Sequence, residues 1–336
     1  MKKLRACSRR WVTGLLVLTA AAAAAAGLFA WGYIPAGAQQ TCRLAQNAAW
    51  LSVDWTSRPF SDEQISNLAA EAQQRKLTYL YPFTAYLQQD GSFSAPEAQS
   101  ANFVKKYKQA NPETRLLAWI GVPLLNSHSY GVQGWVDLTQ PAIRRQITTY
   151  AARLIKDTGF DGIHIDVETI WNDDQAFLTL LEEMRAAIGP QALLSLATPH
   201  WTPPPLDRLP WVSTLRWSGA YYRAVAQRAD QLVLMGYDSW IPDESLYRLW
   251  LREQVRGIDL AVRGTQAQFI VGISVSRELS RSHIARVETL EAGLAGTCAA
   301  LPGQAYPIGQ PAGVALYASW AATDADWQLW EAWVGK

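Results

Sequence analysis

Three ionisable residues, His164, Asp166 and Glu168, alternate with Ile163, Ile165 and Val167 through the short stretch FDGIHIDVE, residues 160–168. Side chains along a strand point alternately to its two faces, so the three polar groups share one wall and the apolar ones fill the other. Two carboxylates about 7 Å apart on such a wall repel each other when water is scarce, and one of them is expected to hold its proton at neutral pH. A protonated carboxyl at the mouth of a cleft is a general acid. Three polar groups inside one apolar strand are costly to satisfy, which favours a chemical role over a purely structural one.

These residues need a frame that holds one strand inside and opens its end. Beyond residue 48 the chain alternates short apolar or β-branched runs with longer segments of helical periodicity. Strands are expected near Trp50–Asp54, Leu77–Tyr81, Leu116–Val122, Gly162–Glu168, Leu193–Thr198, Gln231–Asp238, Phe269–Val275 and Val314–Trp320. Helices are expected at Ser61–Arg75, Ala95–Asn111, Pro141–Thr158, Asp174–Ile188, Gly219–Ala229, Glu244–Arg263, Ser282–Gly296 and Thr323–Trp333, the first opened by a Ser61/Gln64 capping box. Eight such pairs predict an α/β fold, a single-domain (β/α)8 TIM barrel. An open doubly wound sheet is the competitor, but the phosphate-binding Gly-x-Gly-x-x-Gly turn is missing after the first strand. In a barrel, Glu168 lies at the C-terminal end of the fourth strand, where barrel enzymes keep their chemistry.

The stretch resembles the signature of the family 18 glycoside hydrolases, the chitinase-like (β/α)8 enzymes, whose fourth strand reads Asp-Gly-x-Asp-x-Asp-x-Glu. Asp161 and Gly162 open it here, Asp166 matches the last Asp and Glu168 the catalytic Glu, while His164 stands where the family usually has another Asp. The sixth strand, LMGYDSW at residues 234–240, is similar to the family's Met-x-Tyr-Asp through Met235, Tyr237 and Asp238, and Trp320 ends the eighth strand where the family places a tryptophan under the cleaved sugar. The resemblance implies retaining hydrolysis of an N-acetylglucosamine-containing glycan, chitin-like or peptidoglycan-like, in which the substrate's own acetamide oxygen attacks the anomeric carbon. It assigns Glu168 to protonate the glycosidic oxygen, Asp166 to steer the acetamide and Tyr237 to donate to its oxygen, with Asp238 nearby. An imidazole at position 164 can donate to Asp166 and, if cationic, would favour its ionised form. No cofactor is implied. A non-catalytic carbohydrate-binding barrel that has lost hydrolysis through His164 is the rival. The third-strand stretch LLAWIGV matches the family's Ser-x-Gly-Gly pattern poorly, and the chain is too short after the seventh strand for the extra lobe that deepens many chitinase grooves.

Sixteen tryptophans are an unusual supply of flat apolar faces for sugar rings. Trp55, Trp119, Trp171, Trp201, Trp240 and Trp320 fall at or just past expected strand ends and are the candidates for substrate contact; Trp250, Trp327, Trp330 and Trp333 fall in helices. A metal reading also exists, with His164, Asp166 and Glu168 as ligands of one divalent ion. Such sites recruit further histidines, and His128, His200 and His283 are scattered, with only His200 placed to help.

The first ten residues carry Lys2, Lys3, Arg5, Arg9 and Arg10, and an apolar run follows from Val12 to Ile34. A basic flank before an apolar segment is an export signal or membrane anchor. The expected organisation is a signal peptide or anchor over 1–38, a linker over 39–47 and the barrel over 48–336, acting outside the cytoplasm. Ala36-Gly37-Ala38 offers a peptidase site, yet the run also reaches the length of a membrane span. Removing the five basic residues from 30 leaves 25 against 29 acidic ones, so the exported part is mildly acidic and no basic stripe suggests nucleic acid. A monomer with an oligo- or polysaccharide as its partner is expected. Cys7 lies in the leader, and Cys42 and Cys298 could pair in an oxidising compartment or remain buried thiols.

Overall fold

A computed structural model of the chain describes residues 44–94, 97–125, 127–129, 132–208, 216–278, 282–300 and 311–334. Eight parallel strands close into a barrel: β1 Asn47–Leu51, β2 Leu77–Tyr86, β3 Arg115–Pro123, β4 Gly162–Glu168, β5 Leu193–Thr198, β6 Gln231–Met235, β7 Gln268–Ser274 and β8 Pro311–Tyr317. Each pairs with its sequence neighbours, and β8 closes on β1 through Ala48–Ala315 and Ala49–Leu316. The helices between them are α1 Asp62–Gln74, α2 Glu97–Ala110, α3 Pro141–Thr158, α4 Gln175–Ile188, α5 Gly219–Ala226, α6 Glu244–Val262 and α7 Leu290–Ala300, with α8 Asp324–Val334 at the end. The predicted barrel is therefore the observed fold.

Local signals explain where the helices start and stop. Ser61 and Gln64 form the reciprocal capping box expected of them. Asp174 caps α4 and Asp243 caps α6 by accepting backbone N–H groups one turn on, and α3 opens with Pro141 and ends at Gly159, whose φ of +83° suits only glycine comfortably.

Two apolar layers hold the barrel. The larger lies between the strands and the helices and includes Ile163, Ile165 and Val167 of β4. The smaller fills the barrel with Trp50, Tyr79, Tyr81, Leu117, Trp119, Val233, Ile270 and Ala315. Odd residues of β4 thus face the helices and even residues face the interior, as strand alternation requires.

Several boundaries differ from the sequence reading; the second strand runs on to Tyr86, and the eighth spans Pro311–Tyr317 and so stops short of Trp320. The first strand spans Asn47–Leu51 rather than Trp50–Asp54 because a short helix, Asp54–Ser57, takes over after it. The sixth ends at Met235, since Asp238 and Trp240 adopt positive φ values of 57° and 65° that break the ladder. The helix expected from Ser282 begins only at Leu290, and residues 282–289 are instead drawn onto the end of β6. The leader at 1–38 and the linker up to residue 43 lie outside the described residues, as does Cys42. Cys298 is buried on α7 and is disulfide-bonded. Among the described residues no helix is long and apolar enough to cross a membrane.

Candidate active site

The polar face of β4 runs up the barrel axis, and its residues meet different partners at each level. Asp161, just before the strand, accepts the Leu116 N–H at 2.7 Å and pairs with Lys108. It therefore pins the N-terminal end of the barrel, roughly 23 Å along the strand from Glu168, and lies away from the mouth.

His164 sits one level up and is fully buried. Trp50 Nε1–H donates to its Nε2 at 3.0 Å, so the ring proton is on Nδ1, which donates to Ser195 Oγ at 2.8 Å. Ser195 Oγ in turn donates to Gln231 Oε1, which also receives the Tyr81 hydroxyl. Tyr81 stacks on the imidazole at 4.1 Å. Burial pushes the His164 pKa down to about 3. The histidine is thus a neutral member of an interior hydrogen-bonded chain. The expectation that it donates to Asp166 is corrected by this geometry, because both ring nitrogens are engaged lower in the barrel. The same engagement removes it from a His164–Asp166–Glu168 metal triad.

Asp166 is buried at the next level, and Trp119 Nε1–H reaches its Oδ2 at 3.1 Å. Trp119 is 7% exposed, so this indole serves the carboxylate from inside the barrel rather than offering a face to solvent. Glu168 follows, half-buried, at the C-terminal rim. Met235 ends β6 on the same inward parity as Gln231 and Val233. Just past it, Tyr237 is buried, and its ring stacks on Tyr317 at 4.9 Å. Burial holds the Tyr237 hydroxyl well above its ordinary pKa, and neighbouring Tyr317, Asp166, Asp238 and Glu168 raise it further. Tyr317 lies in the same field, with Glu168, Asp166 and Asp238 adding to the effect of burial. Both phenols therefore stay protonated donors beside two motif carboxylates.

Tyr317 was not singled out by sequence. Strand parity could have found it, since it shares the inward face of β8 with Ala315. Trp320, three residues beyond the end of β8 in a short 3-10 turn, meets Tyr317 edge-on at 5.7 Å and is 51% exposed. Trp171 and Trp240, in the loops after β4 and β6, are exposed to 59% and 61%, so among the described residues they join Trp320 as open indoles. Trp55 and Trp201 are placed differently. Trp55 stacks on Phe60 at 4.1 Å and touches Phe103, and Trp201 packs on Gly257 of α6, where a methyl group would come within 2.3 Å of its ring.

Asp238 is held by Ser282 Oγ at 3.0 Å, and burial raises its carboxyl pKa. Asp238, His283 and Glu288 are the group of side chains among the described residues whose donor atoms cluster within 4.8 Å as a metal site would require. His200 Nε2–H donates to the Tyr237 carbonyl at 2.8 Å, and burial lowers its pKa to about 4. His200 therefore supports the loop after β6 instead of joining the β4 carboxylates. His128 gives no described side chain.

The model of the glycosyl hydrolases family 18 matches residues 54–266. Among solved structures, the chain is similar to a class V chitinase from Pseudomonas fluorescens Pf-5, with a TM-score of 0.60, 14% identity and coverage of 87% of this chain and 100% of that one. It is also similar to the spore cortex-lytic enzyme SleL of Bacillus cereus, with a TM-score of 0.58, 16% identity and coverage of 88% and 75%. A chitinase from Rhizomucor miehei aligns with a TM-score of 0.57, 13% identity and coverage of 86% and 99%. No curated protein matches the chain by sequence.

Proposed function

The chain belongs to the family 18 glycosyl hydrolases, and from that membership we propose that it cleaves an N-acetylglucosamine-containing glycan by substrate-assisted retention. The observation that carries this reading is the convergence of Glu168, Asp166, Tyr237 and Tyr317 at one end of the barrel, with the exposed indole of Trp320 edge-on to Tyr317. Glu168 gives its proton to the glycosidic oxygen as the bond to the anomeric carbon breaks, and the substrate's acetamide oxygen closes onto that carbon. The positive charge of the resulting oxazolinium is stabilised by Asp166, whose carboxylate is oriented by the Trp119 N–H. Tyr237, kept protonated, donates to the acetamide oxygen. Glu168, now a carboxylate, takes a proton from the water that opens the ring, and configuration is retained.

A second reading, a carbohydrate-binding barrel without turnover, draws on His164. In this chain the position below Asp166 holds a neutral imidazole committed to Trp50 and Ser195, so no second carboxyl shares a proton with Asp166 from that position. The basic and apolar N-terminal sequence supports action outside the cytoplasm. The deciding experiment is mass spectrometry of products from a panel of chitin-like and peptidoglycan-like acetamido-glycans. Wild type should release sugars with retained configuration, and Glu168→Gln should bind the same glycans with turnover lowered by at least about a hundredfold. Binding without products from wild type selects the second reading, and Glu168→Gln at full rate removes Glu168 as the acid.

A further inference from the structure

The turn that delivers Tyr237 is held in an unfavourable backbone shape. Asp238 and Trp240 both have positive φ, 57° and 65°, on either side of Ser239. Aspartate tolerates that region and tryptophan does so poorly, so the conformation persists only where surrounding groups over-determine it. Glu288 is the group that does so. It is 1% exposed. Its Oε1 accepts the Ser239 N–H at 2.8 Å and the Ser239 hydroxyl at 2.6 Å, and its Oε2 accepts the Asp238 N–H at 2.9 Å. The fourth donor is His283 Nδ1, 2.6 Å from Oε2, while His283 Nε2–H donates to the Ser276 carbonyl at 2.9 Å. Four donors saturate a buried carboxylate and keep it ionised.

Other contacts of the same turn converge on this centre. The Tyr237 carbonyl accepts from His200 at 2.8 Å, the Trp240 N–H donates to the Ser282 carbonyl at 3.0 Å, and the Ser282 hydroxyl reaches Asp238 Oδ1. Residues 282–289, which helical periodicity would place in α7, are unwound to bring Ser282, His283 and Glu288 to this point. Asp238, His283 and Glu288 also have the residue types of a divalent-cation site. Yet both oxygens of Glu288 already accept two hydrogen bonds each, and both nitrogens of His283 are engaged, one as a donor to a carbonyl, so the cluster is complete as a hydrogen-bonded clamp.

We infer that Glu288, fixed by His283, is a positioning residue for hydrolysis: it sets the Tyr237–Trp240 turn so that the Tyr237 hydroxyl meets the substrate's acetamide. This rests on the acetamide-assisted mechanism proposed above. Neither residue touches substrate. Their effect passes through the turn, so it falls on the step in which the acetamide attacks and leaves proton donation by Glu168 intact.

The full chain, with Glu288→Gln and His283→Gln beside wild type and Glu168→Gln, is assayed on a chito-oligosaccharide and on its 4-methylumbelliferyl glycoside, whose leaving group needs little help from an acid. Glu288→Gln is expected to lower kcat by about 10- to 100-fold on both substrates, with KM changed by less than about threefold. His283→Gln follows in the same direction to a smaller extent. Glu168→Gln, by contrast, recovers turnover on the activated glycoside. Amide hydrogen exchange of Asp238 and Ser239 should quicken in both clamp variants, while β6 at 231–235 stays protected. Wild-type exchange at those two amides, or unchanged kcat in a folded Glu288→Gln protein, overturns the inference. So does loss of activity on chelation that a divalent cation restores. Should Glu288→Gln fail to fold, His283→Gln decides the question by the same two measurements. A wild type that cleaves no glycan defeats the functional reading instead, and the exchange measurement still tests the clamp.

Discussion

At the scale of single residues, the mouth of the barrel separates groups that carry protons from groups that place them. Tyr237 and Tyr317 are phenols that burial and nearby carboxylates keep protonated, so each hydroxyl retains its hydrogen. Removing the Tyr237 hydroxyl with Tyr237→Phe leaves its ring stacked on Tyr317 and takes away only the donor. A donor aimed at charge that develops in the transition state is worth about 100- to 1,000-fold in kcat. Tyr237→Phe should therefore lose turnover on that order with affinity for the uncleaved glycan little changed, as steady-state kinetics and calorimetric binding to the Glu168→Gln, Tyr237→Phe pair would show. Equal losses in kcat and affinity would assign the hydroxyl to ground-state binding. His164 shows why residue type alone misleads. An imidazole two positions from a carboxylate reads as its partner, and only the positions of Trp50 and Ser195 on other strands show that its nitrogens are already used.

Elements turn these residues into a site by meeting at close range. Gly257 on α6 lies against the Trp201 ring, and a Cβ there would come within 2.3 Å of it. Trp201 begins the loop after β5, and its backbone is tied to Gln254 of the same helix at 2.7 and 2.9 Å. Overpacking of this kind costs about 1–3 kcal/mol. Gly257→Ala should thus lower stability by that amount in thermal or denaturant unfolding, whereas Gly264→Ala meets no neighbouring atom and serves as the control for added side-chain bulk, its φ of +80° being its own source of strain. Stability of Gly257→Ala equal to wild type would mean that the indole can move aside. The eight strands were legible because each is a short apolar run between turn residues, and the capping box of α1 was legible because its signals are local. The start of α7 was not. Residues 282–289 have a helical pattern of apolar positions, but the bonds they make to the loop after β6 outweigh that preference.

For the whole molecule, three histidines set opposite limbs of the stability–pH curve: the buried His164 and His283 and the half-buried His200. Burial holds His164 and His200 below the ordinary 6.5, at about 3 and about 4. The unfolded chain takes up those protons and the folded one does not, so stability is complete above about 6.5 and falls as pH drops toward those values. For His164 the slope is about 1.4 kcal/mol per pH unit below 6.5. His283 runs the other way. Its hydrogen bond to Glu288 raises its pKa, so its contribution is complete below 6.5 and is lost as pH rises through the raised value. Denaturant unfolding across pH should give a maximum near neutrality, and His283→Gln should flatten the alkaline limb while the acid limb set by His164 and His200 remains. An acid limb that disappears in His283→Gln would contradict this assignment.

The order of strands and helices, the closed barrel, and the placing of Glu168, Asp166 and Tyr237 at one end of it all followed from the chain, because alternation and periodicity are local properties that a barrel merely sums. What each side chain does there was decided by contacts between residues far apart in sequence. Trp119 became a donor to Asp166, His164 a link to Trp50 and Ser195, Tyr317 a neighbour of Tyr237, and Glu288 the anchor of a turn 50 positions earlier. Hydrogen bonds and ring contacts are set by distances of a few ångströms between strands, and no pattern along one strand specifies which groups on another will occupy them.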